Sequence, residues 1–217
     1  MSDDEELIEV ILRQRTCAAD WLVIHARDLA ALAERRANSN LLIFGCVEAR
    51  NAIEQLWFEI LVVLRKGEVT LEFIEEIRHR RDGFLAAIRE AEPNYRKLVR
   101  FSMLCMRLDS SRPVEIIPWD LGQLKKWWHA LSGYCHAQAE SVSTLQSPKW
   151  LVDGVKLVNA VFEYFRDHMS QGATGILRVD SMDATARNIW NDFVSDQIDE
   201  EQALIRLRIV QPPPRRR

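Results

Sequence analysis

The chain has 217 residues, of which 47% are hydrophobic and 28% charged, with only eight Gly and seven Pro. This is enough apolar material for a sizeable core in one domain, with or without an appendage, and it points to a soluble, helix-rich protein rather than a disordered one. A net charge of −3 excludes global attraction to nucleic acid or an anionic membrane. The acidic start MSDDEELIEV is unlike a basic targeting peptide, and apolar runs such as LLIFGCV at 41–47 are too short to span a bilayer, so a cytoplasmic protein without a membrane partner is expected.

In chain order, Ser2 followed by four carboxylates opens a helix whose apolar residues recur at helical spacing to about Ala37. His25 falls on this helix with no second metal-ligating residue at a suitable spacing, so it reads as a packed or edge histidine. Asn38, Ser39 and Asn40 form a turn, and a second helix runs to Lys66, closed by Gly67. From Ala52 to Leu64 it is apolar almost all round, which predicts the central helix of a bundle. Arg50 and Glu54 form an i,i+4 pair of opposite sign on it.

Thr70 caps a third helix to about Glu92, and Pro93 starts a fourth that reaches about Leu108. From Arg78 to Arg112 nine Lys or Arg face four acids. Arg78, Arg80, Arg81, Arg96, Lys97 and Arg100 are the RNA-binding candidates of this region, read either as a phosphate-tracking surface or as a solvated face balanced elsewhere. Residues 109–118, with Pro113 and Pro118, break the helix and suit a short extended segment.

Asp120 caps the next helix, expected over 121–145. Leu121, Leu124, Trp128, Leu131, Cys135, Val142 and Leu145 form its core seam, and Lys125, His129, Ser132 and His136 form a polar row beside it. Such a row is either the wet edge of an amphipathic helix or a half-buried site. Gly133 suggests a close helix crossing or a backbone approached by something else.

Ser147 and Pro148 open a further helix ending at Gly172, with Leu151, Val155, Val158, Phe162 and Phe165 as its seam. A brief strand is expected over Ile176–Val179, then a helix capped by Ser181 or Asp180 and running to about Ser195. Asp199 with Gln202 makes a capping box for a last helix to about Ile209. Residues 180–201 carry seven acids against Arg187 alone, an excess able to meet the basic region of the same or another copy.

Cys17, Cys46, Cys105 and Cys135 are widely spaced without a CxxC pair, so neither a zinc site nor a disulfide framework is suggested, and no metal or cofactor is expected. No internal repeat, phosphate loop, nucleophile elbow or HExxH pattern is present, which leaves nucleotide hydrolysis and zinc peptidase chemistry without support.

The segment WWHALSGYCHA resembles a recurring helix of the HEPN superfamily (higher eukaryotes and prokaryotes nucleotide-binding), in which a phrase of the form xELSxYxH ends in the family histidine. CVEARNAIEQLW, with Arg50, Asn51 and Glu54, is similar to the earlier helix that packs against it, and the likeness covers roughly 40–140. Active members are metal-independent ribonucleases whose site forms where two copies bring together an Arg, a following polar residue and a His. By that resemblance His136 matches the family histidine, Ser132 and Tyr134 match the phrase before it, and the Arg position is occupied by His129. This is a departure, because an imidazole lacks the permanent forked charge of a guanidinium. The resemblance implies a catalytic set of His136, His129 and Ser132, with Arg50 from the neighbouring helix supplying the missing charge.

The sequence therefore predicts an all-α multi-helix bundle over 1–172, with a HEPN-like core from about 40, a C-terminal helical appendage over 173–211, and a disordered basic tail over 212–217. The functional expectation is an RNA- or protein-binding homodimer of a bacterial toxin–antitoxin or phage-defence system, possessing endoribonuclease chemistry if it is an enzyme at all, with RNA or a cognate protein as partner. The alternative is a non-catalytic helical adaptor or oligomerisation protein. A third reading is a small-molecule bundle with an apolar cavity at Trp127, Trp128 and Trp150.

Overall fold

The computed structural model describes residues 18–65, 67–80, 83–108, 119–136, 140–170 and 179–210. Among the described residues there are ten α-helices and one 3-10 turn, and no strand. The helices are α1 (Ala19–Arg36), α2 (Ser39–Leu64), α3 (Leu71–His79), α4 (Gly83–Ala91), α5 (Tyr95–Leu108), α6 (Leu121–Cys135), the single turn α7 (Val142–Leu145), α8 (Pro148–Ser170), α9 (Ala184–Val194) and α10 (Glu200–Val210). This is the all-α, multi-helix architecture expected from composition and periodicity.

The apolar helix α2 is central, touching α1, α4, α6 and α8. It forms because Asn38 accepts from the backbone N–H of Asn40 (2.9 Å) and Leu41 (3.2 Å), satisfying first-turn donors. It stops before Gly67, whose φ of +82° suits glycine and whose N–H donates back to Val62 O at 2.9 Å. Against α2, helix α1 presents Ala26, Ala30 and Ala33, all fully buried. Small side chains on both helices let the two backbones approach closely.

Glu59 on α2 holds the start of α1, its Oε1 accepting from Ala19 N–H (3.4 Å) and from Gln55 Nε2 (3.3 Å). Burial pushes its carboxyl above the ordinary carboxylate range, opposed in part by those hydrogen bonds. A carboxyl that keeps its proton more tightly folded than unfolded favours the fold at low pH and loses that contribution as pH rises through its folded value. Glu59→Gln keeps an acceptor and removes the charge. Urea melts at a series of pH values should therefore find the variant more stable than wild type at neutral pH. The gap should close below the ordinary carboxylate range.

Several expectations need correction. The third helix divides at Arg80 into α3 and α4, and Gly83 begins the second half with φ +26°, where a Cβ would lie 3.1 Å from Ile77 O. The turn folds α4 back onto α2. Pro93 belongs to the turn before α5 instead of starting it, and Glu92 Oε1 accepts from Asn94 N–H there at 2.9 Å. The helix capped by Asp120 ends at Cys135, so the core seam ends there too, and Val142 is 68% exposed. At Gly133 an added Cβ would meet nothing within 4 Å among the described residues, so none of the described helices crosses closely there. At Gly154 instead, a Cβ would lie 2.6 Å from the side-chain atoms Leu42 Cδ2 and Tyr134 Cε1. Val179 sits in the 3-10 turn Val179–Ser181, and Asp183, not Asp180 or Ser181, caps α9 by accepting from Thr185 and Ala186 N–H. The expected capping box of α10 is present, with Asp199 and Gln202 exchanging hydrogen bonds of 2.8 and 3.2 Å. The expectations for Ser2–Glu6, Cys17, 109–118 and 212–217 lie outside the described residues, as does most of the proposed strand.

The apolar interior has two main parts. The larger joins α1, α2, α6 and α8 with α4 and the start of α5. The second joins Leu98, Phe101 and Leu104 of α5 to Trp190 and Phe193 of α9 and Leu207 of α10. Helix α5 thus serves both, with Tyr95 and Val99 on the larger cluster.

Candidate functional site

The sequence candidates converge on α2 and α6. Arg50 is half-buried, and its Nε donates to Glu54 Oε1 at 3.1 Å, the expected i,i+4 pair. The same oxygen accepts from Trp128 Nε1 at 2.7 Å across the helix interface. The Arg50 guanidinium carbon lies 4.6 Å from the centroid of the Trp128 ring, a cation–π contact on top of the ion pair. Arg50 thus reaches α6 as anticipated, and it is received there by an indole and a carboxylate.

The imidazoles stand elsewhere. His129 is exposed and meets the Trp128 ring edge-on, with centroids 5.0 Å apart. His136 is exposed at the C-cap of α6, where its N–H donates to Ser132 O at 3.2 Å. Seven residues separate them, about 10 Å along a helix axis, and successive turns project side chains in parallel instead of converging. Among the described residues Arg50 is hydrogen-bonded to neither imidazole. The Ser132 hydroxyl donates to Trp128 O at 2.7 Å, a bond within its own helix. One copy of the chain therefore brings Arg50 to Trp128 and Glu54, and leaves His129 and His136 on the wet edge.

Among the described residues each thiol is held toward its protonated form. Burial raises Cys46 far above the ordinary thiol range, and it pushes Cys105 up to about 11. Cys135 is also raised by burial, although the neighbouring Arg50 pulls in the opposite direction. No group of three His, Cys, Asp or Glu suited to a metal ion occurs among the described residues.

The basic region is partly answered within the chain. Lys97 Nζ is 2.7 Å from Asp196 Oδ2 and donates to Val194 O at 2.7 Å, and Arg100 lies 3.4 Å from Glu200. Arg80 pairs with Glu76 and, at 3.2 Å, with Glu90. Arg96 is exposed. Arg81 and the side chain of Arg78 lie outside the described residues. The acidic 180–201 segment therefore meets the basic region of its own copy, one of the two arrangements its charge allowed.

Among the described residues Trp127, Trp128 and Trp150 pack against different rings: Trp127 edge-on against Tyr164 (5.0 Å), Trp150 tilted against Tyr134 (4.8 Å), and Trp128 tilted against Trp57 (6.3 Å). What sequence reasoning missed is the tie from Glu54 to Trp128. Its signal was present in the Arg50–Glu54 spacing, but a hydrogen bond between residues 74 positions apart has no local pattern. No helix among the described residues is long and apolar enough to cross a membrane. Compared with protein-family models, curated proteins and solved structures, the chain matches none.

Proposed function

We propose that this chain is a non-catalytic, HEPN-like helical adaptor that acts by binding a second copy of itself or a cognate protein in a toxin–antitoxin or defence setting. The observation that carries the reading is that Arg50 meets Glu54 and Trp128, at 3.1 and 4.6 Å, and neither imidazole, while His129 and His136 both stand exposed. Cleavage of a phosphodiester needs a base on the attacking oxygen, an acid on the leaving oxygen and a cation on the phosphate, each at hydrogen-bond reach. The pairing of Lys97 and Arg100 with Asp196 and Glu200 further lowers the charge available to a polyanion.

A second reading, a ribonuclease completed between two copies, is favoured by one observation. His129, Ala130 and Gly133 of α6 and His136 at its C-cap are exposed, and no atom of another described element lies within 4 Å of a Cβ placed at Gly133, so a second backbone can approach closely. The two readings separate in an RNA cleavage assay run with a chelator, comparing wild type with His136→Ala. The adaptor reading expects intact RNA from both proteins.

A further inference from the structure

A cleft of about 270 Å3 opens between α2, α4 and α6, and its walls combine two chemistries. Arg50, Arg80 and Lys125 bring cations to it, and Trp57, Phe84 and Trp128 bring aromatic rings. Among the described residues Glu54 takes only the Nε–H of Arg50, and the remaining N–H groups of that planar fork neighbour the Cys135 thiol and can meet an acceptor that enters.

Size narrows the ligand. An apolar cavity of roughly 150 Å3 holds benzene, and sites for drug-sized molecules start at roughly 300 Å3. The space here suits one or two fused rings bearing a small acid group. Aromatic walls favour a flat ring, and the guanidinium fork matches a carboxylate in the plane of that ring better than it matches a tetrahedral anion. The low dielectric between helices strengthens attraction to the cations.

We propose that this cleft binds a small aromatic carboxylate, its ring among Trp57, Phe84 and Trp128 and its carboxylate on Arg50 and Lys125. This goes beyond the adaptor reading and does not depend on it, since cleavage of RNA would overturn that reading and leave this one untouched. Isothermal titration of the full chain with 1-naphthoate tests it, with 1-naphthalenemethanol, acetate and inorganic phosphate as comparisons. The expected result is saturable one-to-one binding of 1-naphthoate, about tenfold or more tighter than any comparison compound, as a charge-assisted contact requires. Lys125→Gln should weaken it about tenfold, and Arg50→Lys, which keeps the charge and loses the fork, should weaken it as well. No binding of 1-naphthoate, equal binding of the neutral alcohol or of phosphate, or unchanged affinity in Lys125→Gln would each overturn the proposal.

Discussion

Phe101→Ala should lower the free energy of unfolding by about 3–5 kcal/mol, a large part of the 5–15 kcal/mol that a domain typically has. Phe101 is fully buried, and its ring meets Trp190 at 5.4 Å and Phe193 at 5.8 Å. It lies in the cluster that fastens α9 and α10 to α5, and the surrounding aromatic side chains are too large to collapse into the space left behind. The ion pairs at this junction are exposed on at least one side, so they cannot substitute for lost packing. The loss should be local first. Hydrogen exchange in the variant should accelerate over 184–210 more than over 39–64, and urea melts should give the total. A loss below about 1 kcal/mol would mean that α9 and α10 are held by something other than this cluster.

Gly45→Leu should destabilise by about 3 kcal/mol, at the upper end of what overpacking usually costs. A Cβ at Gly45 would already lie 3.1 Å from Ala26 O and 3.4 Å from Ala30 N. These are backbone atoms of α1, which cannot rotate aside as a side chain does, so the larger residue must push the helices apart. Ala26, Ala30, Ala33, Ala49 and Ala52 are all fully buried, so separating α1 from α2 opens a long seam. Gly45→Ala should cost much less, because better helix propensity, about 1 kcal/mol, offsets the tight contact. Thermal melts of the pair measure the difference, and equal stability of the leucine and alanine variants would contradict a close crossing.

How far the fold could be read from the chain differs from element to element. The apolar run Ala52–Leu64 and the caps Thr70, Asp120 and Asp199 were legible because helix periodicity and first-turn hydrogen bonding are local. The break at Arg80 was not, since Arg81, Asp82 and Gly83 interrupt a helical pattern whose apolar residues continue on both sides. Only the packing of α4 on α2 decides for the turn. For the same reason sequence alone does not separate Gly133 from Gly154. Both are helical glycines in sequence, but Gly154 alone faces Leu42 and Tyr134. Arg50 and Trp128 were each conspicuous at the candidate site, whereas their meeting through Glu54 required the tertiary register of α2 on α6. The exposed positions of His129 and His136 agree with the plainer view of the polar row as a wet helix edge.

The central claim is that the guanidinium and the two imidazoles do not form one working set. Its most direct test is a single-turnover experiment with protein in excess over a labelled RNA, in the presence of a chelator, scored for new ends bearing a cyclic phosphate. The account predicts RNA that stays intact with wild type, His129→Ala and His136→Ala alike. Cleavage by the wild-type protein that disappears in His136→Ala would contradict it.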